Sequence, residues 1–145
     1  KEQTGSLYKK DRRFFKPNDV SENYKFWIKK IINYCNTHNK NFDCLFLDQA
    51  NSYNKNISKD LMDRFYATPA DVNYTLSFDN IIHISNLYNN WITKRISETN
   101  LFMFPISKKI PANLKYLRDD VHYTELGTNL VAEELSKFIN NNLDF

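Results

Sequence analysis

The feature that most constrains the fold is the run Phe42-Asp43-Cys44-Leu45-Phe46-Leu47-Asp48, which stands between two stretches of helical period. A short apolar run bounded by polar residues reads as a buried strand. Helical patterns on both sides make it a strand of a parallel sheet, because parallel strands are joined by helical crossovers. Before it, Ser21-Glu22-Asn23 opens a helix in which Tyr24, Trp27, Ile28, Ile31, Ile32 and Cys35 follow the i, i+3, i+4, i+7, i+8, i+11 pattern. That stripe puts Trp27 and Ile31 in the core, and the polar run 36–41 ends the helix. After the strand, a second long helix is predicted over 77–97, with Phe78, Ile81, Ile82, Ser85, Tyr88 and Ile92 inward. Leu101-Phe102-Met103-Phe104-Pro105-Ile106 reads as another strand, with the proline where it leaves the sheet. Thr124 is the predicted N-cap of a last helix whose inner face carries Gly127, Leu130, Val131, Glu134, Leu135, Phe138 and Ile139.

The order helix, strand, helix, strand, helix means an α/β fold with helices covering a parallel sheet, a three-layer arrangement of flavodoxin-like type. Two strands do not complete such a sheet, which normally has about four to six. The chain is therefore expected to be the C-terminal part of a domain, its remaining strands lying before residue 1 or in another chain. Residues 1–145 form one domain or domain fragment, with no repeat or linker, and residues 1–20 are an irregular lead-in ending in a turn at Pro17. Residues 54–76 are a long connection with a short helix over 58–65, and Arg64, Thr68 and Pro69 belong to a segment able to cover a pocket. His83, off the helical stripe, and His38, in a polar turn, are expected to be exposed.

Composition excludes several classes. With 145 residues, 41% hydrophobic and 15% aromatic, the chain suits one packed core and not disorder. A net charge of +3 does not mark a nucleic-acid binder, and the basic group Lys9, Lys10, Arg12, Arg13 and Lys16 reads as solvated surface. No apolar run reaches the length of a transmembrane helix, about eighteen residues. Residue 1 is Lys and no signal-peptide pattern is present, so a processed chain or a fragment is expected. Cys35 and Cys44 are expected as two buried free thiols, and neither has metal-ligand spacing. The sequons at Asn56 and Asn73 occur at the chance frequency for so Asn-rich a chain and leave the compartment open. No cofactor is expected.

Two places carry candidate chemistry. Asp48, Gln49 and Asn51 follow the first strand, and in open α/β sheets ligands sit beyond the carboxyl ends of strands. The second place is Arg118-Asp119-Asp120-Val121-His122-Tyr123-Thr124-Glu125-Leu126-Gly127. A carboxylate three residues before a histidine, on a loop entering a helix, can reach back to Nδ1 and leave Nε2 free. Asp120 competes for that role, but its position suits a backbone interaction at the helix start. Plain capping is the alternative for both acids, since carboxylates favour a helix N-terminus.

Asp119-x-x-His122, then Thr124, Gly127 and the apolar helix from Leu130-Val131-Ala132, resembles the C-terminal block of SGNH/GDSL hydrolases. The preceding order of elements is similar to the second half of that fold. The resemblance implies a serine esterase or acyl hydrolase. In it His122 takes the proton of a serine nucleophile and Asp119 orients the imidazole. The family's Gly-Asp-Ser block is absent: no apolar strand precedes Thr4-Gly5-Ser6. Pro17-Asn18-Asp19 is the nearest match to the Gly-x-Asn-Asp block, but it lacks the glycine and the strand. The serine is therefore expected outside this chain, in the N-terminal half of the same domain or in a partner chain. The substrate class implied is an ester, a carbohydrate O-acyl group or a lipid, and Asn51, Tyr53, Tyr66 and Tyr74 would suit a sugar. Two other readings stand beside it. One is a degenerate SGNH-like domain with a structural or binding role. The other is a metal-dependent hydrolase using Asp119, Asp120 and His122, for which no further His or Cys cluster supplies ligands.

Overall fold

A computed structural model describes residues 11–13, 17–38, 44–48, 57–62, 64 and 74–142. The elements are β1 (Asp11–Arg13), α1 (Glu22–His38), β2 (Leu45–Leu47), α2 (Lys59–Met62), β3 (Tyr74–Leu76), α3 (Phe78–Ser97), β4 (Phe102–Phe104), α4 (Ile106–Lys109) and α5 (Glu125–Asn142). The chain is mixed helix and parallel strand, an α/β arrangement. β2 pairs with β4 in parallel, Phe46 opposite Met103, and β1 pairs with β3 in parallel, Arg12 opposite Thr75. The sequence pattern shows the first pair and misses the second. Asp11-Arg12-Arg13 is a charged triplet, and only its backbone ladder makes it a strand, which hydrophobic period does not report.

Side chains alternate across the β2–β4 pair, and this divides the core. Phe46 and Met103 pack with Ile28 and Ile32 of α1 and Ile92 and Ile96 of α3. Leu45 and Phe104 pack on the other side with Leu130, Val131, Leu135 and Phe138 of α5. Helices therefore cover both faces of this strand pair. A third cluster joins Leu61 of α2, Ile81 of α3 and Leu117. Tyr123 packs against both this cluster and the α5 side.

The helices begin where local chemistry dictates. Ser21 Oγ accepts the N–H of Tyr24 ahead of α1, and Ser77 caps α3 by accepting the N–H of Asn80 at 3.3 Å. Lys94 and Arg95 lie in the last turn of α3, where cations oppose the helix dipole. The start of α1 is docked on α3: the Ser21 N–H donates to the Tyr88 hydroxyl at 3.2 Å, and Tyr24 packs edge-on to Tyr88 and Trp91.

Several expectations are corrected. The short helix expected over 58–65 is confined to Lys59–Met62 among the described residues, and the loop after β4 contains α4. Trp27 and Ile31 are 54% and 48% exposed, because α1 buries a narrower stripe centred on Ile28, Ile32 and Cys35. His83 is half-buried, with Nε2 2.7 Å from the Pro17 carbonyl oxygen, since the Pro17 turn folds against α3. Cys35 and Cys44 are a disulfide with Cα atoms 5.9 Å apart, not two free thiols. Cys44, just ahead of β2, lies beside the last turns of α1, a proximity that spacing alone does not reveal. The bridge closes a loop of sequence separation nine. Its reduction by a dithiol is expected to lower the unfolding free energy by about 2.5 kcal/mol on loop-closure entropy. Urea unfolding with and without reductant, with Cys35→Ser as the matched variant, measures it. Among the described residues, no helix is long and apolar enough to cross a membrane.

Candidate functional site

The loop from Asn113 to Thr124 is folded by its own backbone before its side chains enter the argument. The N–H groups of Tyr116 and Leu117 donate to the Asn113 carbonyl. Leu117 and Tyr123 then form an isolated antiparallel bridge, and the Arg118 N–H donates to the His122 carbonyl at 2.8 Å. The loop closes on α5 through Thr124. Its N–H donates to the Tyr116 carbonyl at 3.0 Å, and its hydroxyl donates to the Lys115 carbonyl at 2.6 Å. The same hydroxyl accepts the N–H of Gly127 at 3.0 Å, so Thr124 is the N-cap of α5.

That frame holds Asp119 against His122. Asp119 Oδ1 accepts the backbone N–H groups of Val121 and His122 at 2.9 and 2.8 Å. The imidazole Nδ1 lies 2.8 Å from Asp119 Oδ2 and 3.0 Å from Oδ1. The carboxylate therefore locks the loop and the ring together, and favours the tautomer with the proton on Nδ1. His122 Nε2 has no hydrogen-bond partner among the described residues, and the side chain is 72% exposed. Burial works against the Asp119 carboxylate. The N–H of Val121, the His122 ring and the N–H of His122 outweigh it and hold the carboxyl below its ordinary value of 3.8.

This depression links to stability. A carboxyl with a lower pKa folded than unfolded contributes stability above its unfolded value, and loses it as the pH falls through the folded one. Asp119→Asn keeps an acceptor oxygen but removes the charge. It is expected to flatten the fall in stability below about pH 4, the ordinary carboxylate range. Urea midpoints measured from neutral pH into acid compare the two proteins. Equal slopes would show that Asp119 is not perturbed.

The residues expected after β2 do not assemble a pocket with this loop among the described residues. Gln49 and Asn51 lie outside the described residues, as do Thr68 and Pro69. Asp48 is placed, and it works structurally: its carboxylate accepts the N–H of Ser107 at 2.9 Å and the Ser107 hydroxyl. This ties the end of β2 to the first turn of α4. Arg64 is exposed. Asp120 is 4% exposed, so it does not present a carboxylate beside His122 at the surface. Among the described residues, no group of three or more His, Cys, Asp and Glu side chains is placed to hold a metal ion. An open groove of about 680 Å³ runs along Ser58 and residues 107–113, and neither Asp119 nor His122 lines it.

Sequence reasoning missed two parts of the frame, and named Gly127 without its close approach to Tyr116. Tyr123, next to His122, is half-buried against two core clusters, and its buried hydroxyl has no partner among the described residues. Its pKa is raised by burial and by the negative charge of Asp48. The Lys115 and Tyr116 carbonyls, which fix Thr124, carry no sequence signal. Gly127 does carry one, since the chain has only two glycines. A Cβ at this position would stand 1.9 Å from the Tyr116 carbonyl oxygen, so the helix and loop approach too closely for any other residue. Comparison with protein-family models, with curated proteins and with solved structures finds no match for this chain.

Proposed function

We propose that Asp119 and His122 are the acid and base of an SGNH-type serine hydrolase acting on an ester, with the nucleophilic serine outside this chain. The observation that carries the reading is the 2.8 Å contact between His122 Nδ1 and Asp119 Oδ2, with Nε2 unengaged among the described residues. In the reaction, Nε2 takes the proton of the serine hydroxyl as its oxygen attacks the ester carbonyl, then delivers it to the departing alcohol. Asp119 keeps the ring turned and stabilises the imidazolium. Helices on both faces of β2–β4 are what a three-layer fold of this type requires, and the strands completing the sheet would come with the serine-bearing segment. The substrate is a carbohydrate O-acyl group or a lipid ester.

The test is fluorophosphonate labelling of the full-length protein, with turnover of acetyl and longer acyl esters. Label is expected on a serine outside residues 1–145. His122→Ala is expected to lower turnover by about 10³-fold or more, and Asp119→Asn to lower it strongly by misorienting the ring. A full-length protein that neither labels nor hydrolyses sinks the proposal. A second reading, a related domain with a structural or binding role, is favoured by the exposure of His122 and by the lack of any hydroxyl at Nε2 among the described residues. Under it, His122→Ala leaves function unchanged.

A further inference from the structure

Seven large hydrophobic side chains stand exposed among the described residues, and four belong to α1: Phe26, Trp27, Ile31 and Tyr34. Trp27, Ile31 and Tyr34 are spaced i, i+4, i+7 and form one stripe along the helix. His38 extends it, its ring stacked on Tyr34 with centroids 4.2 Å apart. Phe26 lies across Lys30, whose ammonium sits 4.5 Å from the Phe26 centroid and 5.1 Å from the Trp27 ring. The only acid in α1, Glu22, is at the far end and bound to Lys25 at 2.8 Å. The exposed face is therefore aromatic and basic, with no carboxylate on it.

The opposite side of α1 is fixed. Ile32 is in the core and Cys35 is bonded to Cys44, so this face is presented without any local unfolding. Contiguous exposed apolar side chains of this kind mark an interaction surface. A two-fold contact of this face with itself gathers the Lys30 side chains of both copies into one patch with no carboxylate of α1 to offset them, which disfavours a second copy. A protein groove also takes a single helix stripe, but the lysine beside this stripe and the lack of any α1 carboxylate on it favour an anionic surface. A bilayer needs only such a stripe. Trp and Tyr place amphipathic rings at the headgroup level, Phe adds apolar surface, and Lys stems reach outward to phosphates.

We propose that the outer face of α1 docks on an anionic lipid surface, with Trp27, Ile31 and Tyr34 at the headgroup–acyl boundary and Lys30 against lipid phosphates. The attachment is peripheral and shallow, and it is independent of the hydrolase reading.

The full chain is sedimented with phosphatidylcholine vesicles, with and without phosphatidylserine. Expected is partition onto the phosphatidylserine vesicles that weakens with salt, with a blue shift of Trp27 emission read in a Trp91→Phe background. Lys30→Gln is expected to weaken partition about five-fold, the equivalent of one lysine at an anionic surface. The pair Trp27→Ser and Tyr34→Ser is expected to abolish it. Both sites are exposed, so the circular dichroism of these variants should match the parent. Three results overturn the proposal: no partition onto anionic vesicles, partition unchanged by these substitutions, or a concentration-dependent dimer that Trp27→Ser dissolves.

Discussion

Gly127→Ala is expected to destabilise the protein by about 2 kcal/mol or more, although alanine is the better helix former. At an unobstructed position in a helix the change would gain about 1 kcal/mol. Here the added Cβ would lie 1.9 Å from the Tyr116 oxygen, 2.9 Å from its carbonyl carbon and 3.2 Å from its Cα. All three are backbone atoms, so no side-chain rotation relieves the contact. Either α5 or the loop must move, and Tyr116 O also accepts the Thr124 N–H. The displacement therefore passes to the segment that holds His122. Urea unfolding reads the loss of stability, and the imidazole resonances of His122 read the loop movement. An alanine variant as stable as the parent, with unchanged resonances, would falsify the close approach.

The second large effect is expected at Phe104, for which Phe104→Ala should cost about 3–5 kcal/mol. The side chain is 0% exposed, at the centre of the cluster where β4 meets α4 and α5, with the Phe138 ring 5.3 Å away. Truncation removes the transfer contribution of the ring and leaves a cavity bounded by a strand and two helices, which close poorly over it. Domains of this size have about 5–15 kcal/mol in total, so the variant should be close to unfolding at 37 °C. Met103→Ala on the other face of the same strand, where the side chain is half-buried, is the comparison, and its cost should be smaller. Chemical denaturation of both variants gives the ratio, and equal losses would contradict the division of the core.

The parts of the fold legible in the sequence are those with a hydrophobic period. α3 begins one residue after its predicted start and ends at Ser97, because Ser77 is a strong cap and the inward stripe runs its length. α5 follows Thr124 for the same reason. The Asp119–His122 approach was readable from the offset alone, since a carboxylate three residues back along a turning loop has few other places to go. What the pattern could not give were contacts between segments distant in sequence. The Cys35–Cys44 bond joins the end of α1 to the start of β2, and neither cysteine's spacing announces it. The partnership of Asp48 with Ser107 spans 59 positions and uses residue types found in any loop. Trp27 fits an inward stripe by spacing, yet the width of that stripe is set by how α3 and β2 pack against the helix. β1 is a charged triplet with no strand signature, and β3, Tyr74–Leu76, has strand-favouring residues but is too short for a period to register.

Asp119 and His122 are separated only by Asp120 and Val121, and the N–H groups of Val121 and His122 are themselves held by the same carboxylate. The pair is thus a property of one short loop and not of the meeting of two distant elements. Its contacts are local, so what reaches it from elsewhere in the chain must come through the Tyr116 and Thr124 frame that carries the loop. On the hydrolase proposal, control of the histidine would act on what arrives at Nε2, because the Asp119–His122 pair has no assembly step of its own.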